Sequence, residues 1–151
     1  MPARTKLAQL IAKQEGFGVP GAVPTRNHNP GDLRHSPHSE HLSGKPDGIG
    51  IIDTDDHGWD DLERQLWLNS KRMVEVDPKT KQKCPARWMT LEDCIYLWAP
   101  PEDNNNTSAY LDGVLKGFKG DLAYGDPVTA GMKLSYVLSI PAVEEAPKVT
   151  T

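Results

Sequence analysis

Apolar residues recur at helical spacing near the start of the chain. Leu7, Leu10 and Ile11 stand three or four positions apart, which places them on one face of a helix. The pattern predicts a helix over residues 4–15 that ends on Glu15. A carboxylate in the last turn is disfavoured by about 0.3–1 kcal/mol, because the helix dipole already places partial negative charge there. Glu15 is therefore either a solvated residue at a frayed end or a residue retained for its chemistry.

The helical period is lost in the next segment. Residues 16–48 are rich in Gly, Pro, His, Asn and Ser, and a loop of this length inside a compact domain is usually functional or disordered. The apolar run IGIID at residues 49–53 then predicts a short strand. Residues 17–23 or residues 32–36 would supply its partner in a small sheet or hairpin.

A second helix is predicted over residues 55–71, and its start lies close to Thr54. Its apolar face would contain Trp59, Leu62, Leu66 and Trp67. Residues 76–87 follow with two prolines and several charges. That composition predicts a charged connection without regular structure.

Capping signals mark the later helices. Thr90 would cap a third helix that carries acids in its first turn and stops at the proline pair beginning at Pro100. Thr107 or Ser108 would cap a fourth helix, and a last short helix would begin at Pro127. The elements together predict an α+β fold that is mostly helical.

The length of the chain suits one domain. Its 151 residues are enough to bury a core without disulfides or metals. We expect a single domain over residues 1–140 and a disordered tail over residues 141–151, because the tail is polar and aperiodic.

Composition and charge argue against several classes of protein. The 17 basic and 21 acidic residues give a net charge of −4, which is not the footprint of a nucleic-acid-binding protein. No run approaches the ~20 apolar residues of a membrane span, and the first residues lack the apolar core of a secretory signal. We therefore expect no membrane segment and synthesis in the cytoplasm. Cys84 and Cys94 form no C-x-x-C motif, so free thiols are predicted.

Three blocks follow the predicted first helix. They are NHNPGDLR at residues 27–34, GIGIIDTDDHGWDDLERQL at residues 48–66 and WAPPEDNNNTSAY at residues 98–110. Blocks of this kind, in this order and after a helix ending in Glu, resemble the lysozyme-like superfamily. Within it they are most similar to phage and bacterial peptidoglycan hydrolases related to soluble lytic transglycosylases. The chain departs from the family pattern where Asp32 replaces the usual Asn, and where the last block has an extra asparagine or a shifted register.

The resemblance implies a lysozyme-like fold with a small β element after the first helix. It also implies a muramidase that cleaves the β-1,4 bond between MurNAc and GlcNAc in peptidoglycan strands, with no cofactor. Lytic transglycosylases belong to the same superfamily, so a 1,6-anhydro-MurNAc product stays open. A non-catalytic cell-wall-binding or virion protein with the same fold is a further alternative. We expect a monomer that reaches the cell wall by phage-type release, through a separate pore-forming partner.

Glycoside cleavage needs a proton donor at the leaving oxygen. Glu15 suits this role because burial and a helix C-terminus both raise the pKa of a carboxyl group. Asp32 and Asp53 are candidates for a second catalytic carboxylate, although turn and helix-cap roles are commoner for Asp. Some enzymes of the superfamily have no second carboxylate, and the sugar's own N-acetyl or 6-hydroxyl group does that work instead.

Candidate glycan-binding residues come from the first and last of these blocks. The side-chain amides of the last block offer both a donor and an acceptor, which matches an N-acetyl group, and the resemblance implies that the first block borders the catalytic Glu. Structural alternatives exist for each: a tight turn for the first two asparagines, a helix cap for the threonine, and core packing for the aromatic residues. The candidates are Asn27, Asn29, Arg34, Trp98, Asn104, Asn105, Thr107 and Tyr110.

A histidine run offers a different chemistry. His35, His38 and His41 form H-x-x-H-x-x-H, which raises the alternative of a metal-dependent amidase or peptidase. Zinc sites need convergent ligands held by further hydrogen bonds, and no H-E-x-x-H motif accompanies this run. The prediction is therefore that the chain has no metal site.

Overall fold

The computed structural model describes residues 4–41, 48–119 and 127–143. Its helices are α1 (Lys6–Glu15), α2 (Val23–Arg26), α3 (Asp55–Ser70), α4 (Leu91–Trp98), α5 (Thr107–Gly117) and α6 (Leu134–Val137), with a 3-10 turn at Pro101–Asp103. Its strands are β1 (Ser39–Glu40), β2 (Ile51–Ile52), β3 (Met73–Val76) and β4 (Lys83–Trp88). The predicted α+β organisation is confirmed, and helices hold far more of the described residues than strands do.

The first helix is confirmed and ends on Glu15 as predicted. Thr5 caps its start by accepting a hydrogen bond from the Ala8 backbone N–H. Gly16 ends it in the left-handed conformation, with φ of 87°, and the N–H of Phe17 donates back to the Ala12 carbonyl. This C-terminal motif fixes the direction in which the chain leaves the helix, directly after the carboxylate.

Helix α3 is confirmed, but the prediction of its apolar face was wrong in one residue. Leu62 and Leu66 are fully buried, and Trp59 is partly buried against the core. Trp67 is 40% exposed. It follows Leu66 directly and is therefore rotated by about 100° from the buried stripe.

The small sheet forms, but with a different partner from those predicted. Strand β2 pairs antiparallel with β1, so that Ser39 lies opposite Ile52. Residues 17–23 do not enter the sheet, and residues 32–36 contribute only a backbone bond from Gly50 N–H to the Leu33 carbonyl. The difference arises because a tight turn after Ser36 brings the next residues alongside the strand.

The predicted connection over residues 76–87 is wrong, because most of it lies in a β-hairpin. Strands β3 and β4 pair antiparallel, with Met73 opposite Trp88 and Val74 opposite Arg87. Asp77 stabilises the turn by accepting hydrogen bonds from two backbone N–H groups. Pro85 is tolerated because each strand of a two-stranded sheet has a free edge.

Helix α4 is confirmed, whereas the predicted cap of α5 is wrong. Thr90 and Asp93 form a capping box at the start of α4. Asn106, rather than Thr107 or Ser108, caps α5 by accepting from the Ala109 N–H. The threonine is buried instead, and its hydroxyl donates to the Ala99 carbonyl at 2.6 Å.

The predicted last helix is shorter than expected. Residues 129–132 form a turn, and a bridge between Thr90 and Lys133 precedes α6, so no helix begins at Pro127. No described helix combines the length and the apolar character needed to cross a bilayer.

The two ends of the described chain are joined by hydrogen bonds. Lys6 N–H donates to the Ile140 carbonyl at 3.0 Å, and Ala142 N–H donates to the Arg4 carbonyl at 3.1 Å. The side-chain amide of Gln9 bonds both backbone groups of Val143. Residues 141–143 of the predicted tail are therefore held against α1, and residues 144–151 lie outside the described part.

The core lies between α1, α3, α4, α5 and α6. Its fully buried side chains include Leu7, Ile11, Leu62, Leu66, Leu91, Ile95, Val114, Phe118, Leu134 and Val137. Helices α1 and α5 approach closely because α5 presents Gly113 to the Gln14 side chain and Gly117 to the Leu10 side chain. This packing fixes the C-terminal half of α1, including its last turn.

Candidate active site

A cavity of about 500 Å³ opens at the C-terminal end of α1. We call it the Glu15 cavity. The end of α1, the loop after α2, the C-terminal half of α3 and the end of α4 form its walls. Its lining residues are Glu15, Gly31, Asp32, Leu33, Arg34, Ile49, Gln65, Asn69, Arg72, Leu97, Trp98, Pro100, Asp103 and Asn105.

Glu15 is partly buried at the wall of this cavity. Burial, together with the nearby charge of Asp32, raises the pKa of Glu15 from 4.5 to about 7. The helix end is also unfavourable for an anion. A carboxyl group with this pKa is substantially protonated near neutral pH, which a general acid requires.

Asp32 lies across the same cavity in an unusual backbone conformation. Its φ of 52° is left-handed, a region in which Asp and Asn are better tolerated than most residues. Burial raises the pKa of its carboxyl group, and the charge of Arg34 opposes that rise. Its Oδ1 atom is buried and has no hydrogen-bond partner among the described residues. The cavity therefore contains two carboxyl groups whose charged forms are both disfavoured by burial.

The loop that carries Asp32 is held by Asn29. The Asn29 amide donates to the carbonyls of Leu33 and Gly50, and its oxygen accepts from the Leu33 N–H. Its side chain is fully buried and does not line the Glu15 cavity. Asn27 is also absent from the lining, and its carbonyl accepts from the Ile52 N–H. The Asn29 side chain and the Asn27 backbone therefore hold the loop, and neither residue lines the Glu15 cavity.

Trp98 and two glycines allow the same loop to pack closely against the helices. The indole Nε1 of Trp98 donates to the Gly31 carbonyl at 3.2 Å. A Cβ on Gly31 would lie 2.9 Å from a methyl group of Leu62. At Gly58 of α3, a Cβ would collide with the His28 carbonyl oxygen. The loop can approach this closely only because these positions have no side chain.

Tyr110 has an unsatisfied hydroxyl near the two acids. Its oxygen is buried without a hydrogen-bond partner in the described part of the chain. Burial raises the pKa of Tyr110, and the charges of Glu15 and Asp32 raise it further. The hydroxyl therefore remains protonated and is electrostatically coupled to the Glu15 carboxyl group, although Tyr110 does not line the cavity.

The remaining predicted binding residues divide into two groups. Arg34, Trp98 and Asn105 line the Glu15 cavity. Asn104 and Thr107 line a neighbouring pocket of about 550 Å³, and the hydroxyl group of Thr107 is used within the fold. The Asn105 amide donates to the Pro100 carbonyl at 3.0 Å, which holds it at the boundary between the two pockets.

Asp53 is not brought together with Glu15. It lines a separate pocket of about 380 Å³ beside β1 and β2. Its side chain is 65% exposed and accepts a hydrogen bond from His57 at 2.7 Å. That hydrogen bond is the main reason why the pKa of Asp53 is lowered. An exposed, ionised acid in another pocket does not share the chemistry of the Glu15 cavity.

The histidine run makes pairwise contacts. His35 and His41 have ring centroids 4.8 Å apart, while His38 stacks on His57 at 4.0 Å. His38 also bonds the buried carboxylate of Asp61. Within residues 4–41, 48–119 and 127–143, no group of three or more His, Cys, Asp or Glu side chains is arranged to hold a metal ion. Cys84 and Cys94 are free thiols, as predicted.

Sequence reasoning missed the contribution of α3 to the cavity. Gln65 and Asn69 of α3, and Arg72 just after its end, line the cavity, although none of them was predicted as a site residue. A signal was present, because Gln65 and Asn69 fall on the same helical face as Leu62 and Leu66. Polar amides within an otherwise buried apolar stripe indicate either an internal hydrogen-bond network or a cavity.

Comparisons of the chain with protein-family models, curated proteins and solved structures found no match. The Glu15 cavity is therefore the feature of the molecule that points to a function. Its volume suits a ligand of sugar size, Glu15 is partly protonated near neutral pH, and Asp32 is a second carboxyl group in the same cavity.

Proposed function

We propose that this protein is a lysozyme-like peptidoglycan glycosidase in which Glu15 is the general acid. The substrate would be the β-1,4 bond between MurNAc and GlcNAc in the glycan strands. One observation carries the proposal: a cavity of about 500 Å³ contains a glutamate whose pKa is raised to about 7. The sequence resemblance, in which a helix ending in Glu precedes the NHNPGDLR loop, supports the same role.

The proposed reaction begins with proton transfer from Glu15 to the glycosidic oxygen. The bond to that oxygen then breaks and leaves an oxocarbenium-like centre on the other sugar. Asp32 is the proposed stabiliser of this positive charge, because it is the second carboxyl group coupled to Glu15 in the cavity. Asp53 is left out of the proposal, since it lines a different pocket.

A lytic transglycosylase is the second candidate. The observation that favours it is the buried carboxyl group of Asp32, whose raised pKa makes it a less effective anion than an exposed aspartate. If Asp32 does not support attack by water, the sugar's own 6-hydroxyl group can attack and form the 1,6-anhydro product. Mass spectrometry of released fragments separates the two outcomes, because the anhydro product lacks one water.

Clearing of purified peptidoglycan by wild type and by Glu15→Gln tests the proposal. The variant keeps the shape of the side chain and removes the acid, so clearing should fall by about 100-fold or more. Glu75→Gln, on the exposed β3 strand, is the matched control and should clear normally. Circular dichroism confirms that both variants are folded.

The other outcomes identify other functions. If neither wild type nor variant clears but both bind the glycan, the protein is a cell-wall-binding module. If both clear and a chelator stops the reaction, a metal-dependent amidase is favoured. The proposed site of action is the cell wall, so addition of protein to permeabilised cells should lyse them, while intact cells with an outer barrier should resist.

A further inference from the structure

Two amide side chains of α3 face the Glu15 cavity and have no role in the proton transfer proposed above. Gln65 and Asn69 stand one helical turn apart, and Gln65 Nε2 donates to Asn69 Oδ1 at 2.9 Å. Both side chains line the cavity together with Glu15. Asn69 is 4% exposed, so its amide lies at the inner wall.

The amide pair leaves one donor and one acceptor incompletely used. Gln65 Oε1 has no hydrogen-bond partner among the described residues. Asn69 Nδ2 contacts only the Cys94 sulfur in this part of the chain, at 4.0 Å. Burial raises the pKa of Cys94 to about 12, so the sulfur remains a neutral thiol and a weak acceptor. Exchanging oxygen and nitrogen in both amides would again leave one donor and one acceptor available, with the donor on Gln65 and the acceptor on Asn69.

An acetamido group is the complement of this pair. Its N–H can donate to Gln65 Oε1, and its carbonyl can accept from Asn69 Nδ2. Its methyl group needs an apolar surface, which Ile49, Leu97 and Trp98 supply in the same cavity. A protonated amine offers donors only, so it would leave the Asn69 donor without an acceptor.

We propose that Gln65 and Asn69 form an acetamido-binding subsite that selects N-acetylated over N-deacetylated glycan. The inference rests on the proposed function, because a glycan in the Glu15 cavity is what supplies the acetamido group. It moves the recognition of N-acetyl groups from the asparagines after α4, where the sequence placed it, to the buried face of α3.

Binding of short oligosaccharides tests the subsite directly. Calorimetry measures the affinity of the N-acetylglucosamine tetramer and of its fully deacetylated counterpart, in a Glu15→Gln background that prevents cleavage. Gln65→Met keeps the side-chain length and removes the amide. Affinity for the acetylated tetramer should fall by about fivefold to tenfold, while affinity for the deacetylated tetramer changes little. Gln82→Met, at an exposed position in the β3–β4 turn, is the matched control.

A second variant guards against loss of folding. If Gln65→Met lowers the melting temperature, Gln65→Glu is used, because its carboxylate keeps the size of Gln65 but cannot donate. The carboxylate still accepts from the acetamido N–H but also attracts the protonated amine, so the preference for the acetylated tetramer should narrow.

Any of three results overturns the inference. In the first, the Glu15→Gln protein binds neither tetramer, and in the second it binds both with equal affinity. In the third, adding Gln65→Met changes the two affinities by the same factor. Failure of the glycosidase proposal would show itself separately, as clearing of peptidoglycan that does not depend on Glu15. The two failures are therefore distinguishable.

Discussion

Glu15 and Asp32 occupy one cavity in which neither charge is well solvated, and this has a consequence for stability. The pKa of Glu15 is raised from 4.5 to about 7, so the folded protein binds more protons than the unfolded chain between these values. The stabilising contribution of the Glu15 carboxyl group to the free energy of unfolding is therefore fully present below pH 4.5. This contribution is lost as the pH rises through 7.

Glu15→Gln should stabilise the protein at pH 8 relative to wild type, and do so less at pH 4. The gain in free energy of unfolding at pH 8 should exceed the gain at pH 4 by an amount on the order of 1–3 kcal/mol, after allowance for the partial exposure of Glu15. This corresponds to several degrees in melting temperature. Urea unfolding at both pH values measures it. Glu75→Gln, on the exposed face of β3, should show no such dependence. An equal effect of Glu15→Gln at both pH values would contradict a raised pKa.

Asp32→Asn should shift the pH profile of peptidoglycan clearing. The charge of Asp32 helps to raise the pKa of Glu15, so its removal should move the alkaline limb to lower pH. Activity should fall at both pH values because the proposed stabiliser of positive charge is lost, and it should fall severalfold further at pH 7.5 than at pH 5.5. Asparagine tolerates the φ of 52° at this position. Clearing across the pH range is the measurement. An equal loss at both pH values would show that the charge of Asp32 does not raise the pKa of Glu15, and unchanged clearing at pH 5.5 would show that Asp32 does not stabilise the transition state.

At the residue scale, the sequence was informative where a side chain conflicted with its local setting. The unfavourable position of an acid at a helix C-terminus, together with the family resemblance, singled out Glu15, which lines the cavity; its role as the acid stays a prediction. Gln65 and Asn69 were missed although they share the helical face of the buried Leu62 and Leu66, because polar residues are ordinary on a helix and the sequence does not show that this face borders a cavity. The roles of Asn29 and Thr107 depend on distant backbone groups, which no local pattern reveals.

At the element scale, the fit between α3 and the loop carrying Asp32 depends on Gly58. A Cβ there would collide with the His28 carbonyl and lie 2.7 Å from the Pro30 ring. Gly58→Ala should therefore destabilise the fold by about 1–3 kcal/mol, although alanine gains about 1 kcal/mol of helix propensity. Denaturant unfolding measures the loss, and clearing should fall with it because the loop is displaced.

Gly131→Ala is the matched control for this substitution. A Cβ at Gly131 meets no atom within 4 Å, so the free energy of unfolding of the Gly131→Ala variant should differ little from that of the wild type. If Gly58→Ala were as stable as wild type, the close contact between α3 and the loop would not exist in solution.

Helices were easier to predict than strands for a physical reason. Helices α1, α3 and α4 show their caps and apolar periods within a short window of sequence. The sequence of the β3–β4 hairpin shows no regular alternation of apolar and polar residues, because a register shift between Val74 and Val76 interrupts the alternation of inner and outer positions. The partner of β2 was also wrongly predicted, since pairing depends on the turn after Ser36 and not on the strand itself.

At the scale of the whole molecule, Gln9 links the two ends of the described chain. Its amide donates to the Val143 carbonyl at 2.7 Å and accepts from the Val143 N–H at 2.8 Å. Gln9→Met should lower the free energy of unfolding by about 1–2 kcal/mol, because both backbone groups lose their partner. Urea unfolding tests this, and hydrogen exchange should show reduced protection near residue 143.

Gln82→Met is the comparison for this change, since Gln82 lies in an exposed hairpin turn far along the chain. Equal stability of the two variants would mean that the contact with Val143 does not hold the ends together. No sequence pattern predicts the contact between Gln9 and Val143, because the two residues are 134 positions apart.

The joining of the two ends sets an order of events during synthesis. The helix that carries Glu15 leaves the ribosome early, whereas residues 140–143, which hydrogen-bond to its first turns, emerge more than a hundred residues later. At ordinary translation rates the delay is on the order of 10 s. For that time the first turns of α1 lack these hydrogen-bond partners. The residues that line the Glu15 cavity extend only to Asn105, so all of them are made before the two ends are joined.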